Sequence, residues 1–306
     1  MRKVLLPALY LFLAAVPLQA QDALPFTRID RNPVTSAFAG AGSASMGNVA
    51  WSAFSNASVL PLYDGTLDAA VSFQRWAPAL SGGTHWNAGA AYKVTSHLGV
   101  SVGYALQRNV ETELWDQTGV EAGRFRPSDQ VFALGVAYRL GEKWALGVNG
   151  RYAAQRLTES VLSSGFSGDF SASFEPSRAL RLSAGVSTLG ARVKSQRGKS
   201  YPQPASVKAA VDWSPHFSDA FGLDVLADAD YFFSGNYGVS VGSELSWKQT
   251  AFLRTGYRYA SSGCVLPGHF ALGAGVRFSG FRVDVSWLSG SEMLGNTVSA
   301  GLGFAF

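Results

Sequence analysis

From residue 67 to residue 306 the chain repeats one pattern: short runs in which every second residue is apolar. Period two is the repeat of a β-strand whose two faces meet different surroundings. The runs fall at 67–73, 86–92, 100–106, 132–138, 144–152, 166–174, 180–186, 205–213, 223–233, 237–247, 251–259, 270–278, 281–287 and 297–306, which makes about fourteen strands. The charges inside these runs keep to the other face. Arg151, Asp169, Lys208, Asp212, Asp224, Asp228, Asp230, Glu244, Arg254, Arg258, Arg277, Arg282 and Asp284 all lie opposite the apolar residues. Alternation alone fits two all-β architectures. A soluble sandwich turns the apolar face inward, and a membrane barrel turns it outward to lipid, where a midplane charge costs about 2–4 kcal/mol.

Three features favour the barrel. In the last run Val298, Ala300, Leu302, Phe304 and Phe306 share one face, while Ser299, Gly301, Gly303 and Ala305 share the other. A sticky terminal strand is a liability in water, but in a barrel it closes on the first strand. Aromatic residues also collect near the ends of the runs. Finally, Arg2 and Lys3 precede an apolar run over 4–16, which reads as a secretory signal peptide at 1–20, cleaved before Gln21. No later segment has eighteen consecutive apolar residues, so a mature chain that spans a membrane does so with strands.

Connection lengths carry the same message. Short turns at 96–97, 141–143, 177–178, 248–250 and 279–280 alternate with longer connections at 108–129, 156–165, 189–204, 260–268 and 289–296. The short link at 234–236 and the longer one at 214–221 break the rule. The expected architecture is therefore all-β: a transmembrane antiparallel β-barrel of about fourteen strands in the bacterial outer membrane, spanning 66–306. Its outward face meets outer-membrane lipid.

Residues 21–65 lack clean alternation and are rich in small residues. They suit an amino-terminal plug, read as a short helix or compact loop inside a barrel wider than side chains alone can fill. Phe38, Gly40, Gly42, Trp51, Phe54 and Asn56 are its candidate functional residues, with the two glycines allowing close approach to the wall. On the wall, Asp228, Asp230, Glu244, Arg254 and Arg258 form a lumen charge cluster. It is read either as a polar ligand path or as salt bridges and plug contacts that balance a wet interior.

Sites for chemistry are sparse. Gly99-Val-Ser101-Val-Gly103 and Gly238-Val-Ser240-Val-Gly242 match the nucleophile-elbow spacing, but both serines sit within strands rather than at a strand–turn–helix junction. Gly40 to Ser45 lacks the last glycine of a dinucleotide fingerprint, and Arg197 to Ser200 lacks the upstream glycine of a phosphate loop. His85, His97, His216 and His269 have no ligand spacing, and Cys264 is a lone thiol. No catalytic residue, cofactor or metal is expected. The net charge of +4, without a basic run, excludes nucleic acid as a partner.

Several stretches carry a family resemblance. They are Asn32-Pro-Val-Thr-Ser-Ala-Phe-Ala-Gly-Ala-Gly-Ser-Ala-Ser, Trp51-Ser-Ala-Phe-Ser-Asn-Ala-Ser, Gly123-Arg-Phe-Arg-Pro-Ser-Asp, Ala133-Leu-Gly-Val-Ala-Tyr-Arg-Leu and Ser187-Thr-Leu-Gly. Together they resemble the PorV/PorQ family of outer-membrane barrels, relatives of the FadL-like transporters. The resemblance implies a fourteen-stranded barrel with an amino-terminal plug that assists type IX secretion or surface attachment of proteins. Its partners would be secreted cargo or other secretion components, bound by connections 108–129 and 189–204. The alternative is a FadL-like channel for uptake of small hydrophobic molecules. That reading predicts an apolar pocket near Phe38, Trp51, Phe54 and Leu60.

Overall fold

The computed structural model describes residues 22–306 except 48, 79–81, 116–118, 120, 159–161, 195–198, 216–217, 219 and 290–294. The signal peptide expected at 1–20 lies outside the described residues, as do Arg197 and His216. Fourteen antiparallel strands close into one barrel. They are β1 Leu67–Trp76, β2 Gly83–Lys93, β3 Leu98–Arg108, β4 Ser128–Leu140, β5 Trp144–Arg156, β6 Leu162–Ser177, β7 Leu180–Gly190, β8 Ser206–Trp213, β9 Phe221–Phe232, β10 Tyr237–Trp247, β11 Ala251–Ala260, β12 His269–Phe278, β13 Phe281–Ser289 and β14 Thr297–Ala305. Each pairs with its neighbours in sequence, and β14 pairs with β1, so the wall has no open edge.

The apolar residues point outward. Leu134 and Leu253 are each 64% exposed, whereas Asp68, Asn149 and Asp228 on the inner face are each 1% exposed. Only hydrocarbon outside the wall makes this arrangement favourable. Aromatic residues pair across strands in two bands. Phe73–Trp86, Tyr104–Phe132, Tyr152–Phe166 and Tyr257–Phe270 mark one rim, and Trp144–Phe174 and Phe281–Phe304 mark the other. Such girdles sit where lipid meets water.

The two exceptions to the length rule keep its parity. Connections after odd strands open on one rim, the outer rim hereafter, and those after even strands open on the opposite rim. Residues 233–236 are a short link on the long side, and 214–220 a longer link on the short side. At the seam, the Phe306 carbonyl accepts the N–H groups of Thr66 and Leu67 at 2.7 and 2.8 Å, and the Phe306 N–H donates to Leu67 at 2.8 Å. These bonds extend the β1–β14 ladder to the last residue.

The connection over 189–204 differs from the expected free loop. Strand β7 runs on to Gly190, and Val193–Lys194 pairs with Ser200–Tyr201 in a small hairpin that folds inward. Val193 packs with Leu24, Phe26 and Ile29 of the plug, and the Ala23 N–H donates to the Pro202 carbonyl at 2.8 Å. Val193 thus anchors the start of this stretch on the plug, while Ala191, Arg192, Lys194 and Lys199 stay exposed. The connection 108–129 does carry an exposed hairpin, Thr112–Trp115 with Glu121–Phe125.

The plug occupies the lumen. It contains a 3-10 turn at Pro25–Arg28, helix α1 at Pro33–Ala37, and 3-10 helices at Val49–Phe54 and Ala57–Leu62. Asn32 caps α1 through its side-chain oxygen, which accepts the Val34 N–H at 3.0 Å, and Pro33 occupies the first helical position, where no N–H is needed. Asn56 repeats the cap for Ala57–Leu62 by accepting the Ser58 N–H at 2.9 Å. The seat for these elements is a set of inward-facing glycines. A Cβ on Gly256 would lie 2.2 Å from the Phe38 carbonyl carbon, and one on Gly242 would lie 2.7 Å from Phe38 Cβ. Ala50 meets the wall at Gly89, Leu60 at Gly99 and Phe54 at Gly103 in the same way.

Candidate functional site

The polar wall residues hold the plug mainly by its backbone. The Asp228 carboxylate accepts the N–H of Gly42 at 2.9 Å and that of Ser43 at 3.2 Å. Asp68 accepts the Ala50 N–H at 3.1 Å. Asn149 donates to the carbonyls of Ser52 and Ala53 at 2.7 and 2.8 Å, and Ser240 donates to Ala39 at 2.8 Å. These bonds satisfy backbone groups that short helices leave without internal partners.

The plug residues singled out from sequence take distinct places. Phe38 is buried in the Gly242–Gly256 seat. Trp51 and Phe54 pack together with ring centroids 6.3 Å apart. Asn56 bonds Ser43 and Ser173 across the lumen. Gly40 and Gly42 have φ of 90° and 120°, and Gly42 turns its amide toward Asp228 there. The close approach of plug to wall falls on the wall glycines instead. At Gly40 a Cβ would meet only ordinary contacts at 3.7 Å.

A cavity of about 190 Å³ lies between the plug and strands β5 to β9 with β11. Phe38, Trp51, Phe54 and Phe232 border it, and Val265 and Leu266 border it from the outer-rim connection. Leu60, expected beside the pocket, packs instead with Val49, Val59 and Ala91, because Gly99 leaves room for its side chain at the wall. The lining is less apolar than expected. It includes the cations Arg28, Arg31, Arg151, Lys208 and Arg258, with the carboxylates Asp30, Asp169 and Asp230.

The lumen charges divide by position. Glu244 pairs with Arg254 at 2.5 Å, and Arg254 also pairs with Asp284 at 2.6 Å, all away from the cavity. Asp230 borders the cavity and pairs with Lys208 and Arg258, each at 3.4 Å. Arg151 pairs with Asp169. A break in the β6–β7 register positions Asp169: Thr188 has φ of 58° and donates its N–H to that carboxylate at 2.6 Å.

Sequence reading passed over Arg28 and Arg31. Arg28 donates to Ser187 and Ser206 at 3.3 and 2.9 Å and lies 4.2 Å from the centre of the Phe232 ring. Arg31 donates to the backbone carbonyls of Phe26, Thr27 and Ile29 and lies over Phe54. Burial holds both guanidiniums down at about 10. Burial raises Asp30, against the opposing bonds from the Thr35 hydroxyl and the Asn32 amide. The only signal of these residues in the sequence was four charges, Arg28, Asp30, Arg31 and Asp22, in a stretch otherwise read as packed.

The serines at nucleophile-elbow spacing lie within β3 and β10, and Ser240 is engaged with Ala39 and Arg258. His269 faces the lumen with its Nδ1 at 2.8 Å from the Pro267 carbonyl. No cluster suited to a metal ion occurs among the described residues.

No protein-family model matches the chain, and no curated protein does. Solved structures do. The chain is similar to the Ralstonia pickettii toluene transporter TbuX (TM-score 0.61, 11% identity, 90% of this chain and 97% of that one). It is similar to the CymD monoaromatic hydrocarbon channel (TM-score 0.63, 13% identity, 90% and 97%). It is also similar to a Pseudomonas aeruginosa FadL homologue (TM-score 0.51, 11% identity, 90% and 96%). At these identities the likeness speaks for the fold: the chain has the closed fourteen-strand architecture of bacterial outer-membrane barrels, nearly end to end.

Proposed function

We propose that the protein is a non-enzymatic outer-membrane channel that takes up small hydrophobic molecules past its plug. The observation that carries this reading is the aromatic-bordered cavity between plug and wall. It lies next to Phe38, Trp51 and Phe54, where a transport intermediate would rest. Hydrocarbon transporters among the similar structures support it. The secretion role implied by the PorV/PorQ resemblance takes second place. It rests on the sequence resemblance at 32–45, 51–58, 123–129, 133–140 and 187–190, and in connection 189–204 Val193 packs against the plug.

The test is uptake of radiolabelled toluene by intact Gram-negative cells, whose lipopolysaccharide leaflet otherwise slows entry. Expression of the wild-type chain is expected to raise the initial rate. An unchanged rate, together with co-purification of exported proteins sharing a carboxy-terminal domain, would overturn uptake in favour of secretion.

A further inference from the structure

The cations around the cavity are unequally matched. Lys208 pairs with Asp228 and Asp230, Arg258 with Asp230, and Arg151 with Asp169. The charge of Arg31 is spread over three backbone carbonyls. Arg28 has no ion pair among the described residues and donates to two serine hydroxyls only. A guanidinium carries five N–H donors in a planar fork, and the fork matches a carboxylate edge. A buried charge without a direct ion pair is costly, and Asp22, Asp169 and Asp230 offset this one only from beyond contact distance, which leaves room for an anion to pair with it directly. Asp30 does not supply it, since its oxygens accept the Thr35 hydroxyl and the Asn32 amide. Asp230 is the strongest charge acting on Arg28, and Arg151 and Arg258 oppose it, with Asp169 adding less.

Size and wall chemistry describe the rest of the ligand. A dry cavity of about 150 Å³ is enough to hold benzene, whereas drug-sized ligands use roughly 300–1,000 Å³. The volume of about 190 Å³ therefore admits one ring with a small head group and is too small for a long acyl chain. Phe232 lies under Arg28, and Phe38, Trp51 and Phe54 complete the aromatic border.

We infer that this cavity binds a single-ring aromatic carboxylate, with the carboxylate on the Arg28 guanidinium and the ring among Phe38, Trp51, Phe54 and Phe232. The inference rests on the uptake reading and narrows it to substrates that are charged at one end.

The test is calorimetry on the full chain in lipid nanodiscs, with benzoate, its neutral isostere benzamide, acetate and palmitate as probes. Loss of a charged hydrogen-bonded contact predicts that benzoate binds about tenfold or more tightly than benzamide. Arg28→Gln is expected to remove that advantage, and Arg28→Lys to restore part of it. If Arg28→Gln does not fold, the wild-type contrast between benzoate and benzamide still decides. Equal binding of benzamide overturns the anion assignment, equal binding of acetate overturns the ring, and tighter binding of palmitate overturns the size limit. Toluene uptake without benzoate binding sinks this inference and leaves the channel reading standing. Neither uptake nor binding sinks both.

Discussion

The Asp228 carboxylate, in the middle of β9, holds the Gly42 amide at 2.9 Å across 186 positions of sequence. The same carboxylate reaches Ser43 and stands 3.8 Å from Lys208, so one side chain joins plug, wall and cavity rim.

Replacing Asp228 with Ala leaves the Gly42 and Ser43 amides without their acceptor. The cost expected for the plug is about 1–3 kcal/mol. Hydrogen exchange should show faster exchange at residues 40–45, with strand amides unchanged. Protection equal to wild type would mean that the plug is held elsewhere.

Gly256→Ala places a methyl group 2.2 Å from the Phe38 carbonyl carbon, where backbone has to move. Overpacking of this kind costs about 1–3 kcal/mol. Gly150→Ala is the control, because no atom lies within 4 Å of its added carbon. Thermal unfolding, followed by the gel shift between folded and unfolded barrel, should fall for the first variant and hold for the second.

Leu134 lies on the outer face and is 64% exposed. Leu134→Arg is expected to cost about 2–4 kcal/mol in bilayers. The check is reversible unfolding by guanidinium in phospholipid vesicles. A loss much under that range would place this position near the bilayer surface instead of its interior.

Asp30 gives a pH dependence whose sign is set by burial. Its pKa in the folded protein is raised above the usual value, so folding favours the protonated form. The stabilisation is complete below the unfolded pKa and is lost as pH rises through the folded one. Asp30→Asn should flatten that part of the curve. The unfolding midpoint, measured from pH 4 upward for both proteins, checks it, and parallel curves would assign the dependence to another group.

The barrel was legible because alternation repeats so often: period two separates a face such as Val71, Phe73 and Leu134 from one such as Asp228, and the terminal strand, the strand-end aromatics and the leader put the apolar face outside, as found. The loss of that alternation before residue 66 marked where the wall begins, since the first barrel strand starts at Leu67. The seat of the plug was not legible. Gly89, Gly99, Gly242 and Gly256 look like ordinary strand glycines, and only the path of the plug shows which of them meet its backbone. The charge cluster was legible as a list and not as partners. Whether Asp230 meets Arg258 or Arg254 depends on register and side-chain reach between strands far apart in sequence. Arg28 was missed because it sits where no period exists to assign it a face. The anchoring of Val193 on Leu24 and Phe26 is a contact no local pattern encodes.

Residues 68 and 305 face each other across the closing seam. The enclosure around the plug is therefore completed by two segments more than two hundred positions apart in sequence. Contacts between such distant segments are slow to form, because the loop-closure entropy is lost before any contact repays it. Without the β1–β14 pairing the wall is a curved sheet with two bare margins. A chain without β14 loses more than one strand's contacts, since what remains is an open sheet with two unpaired edges.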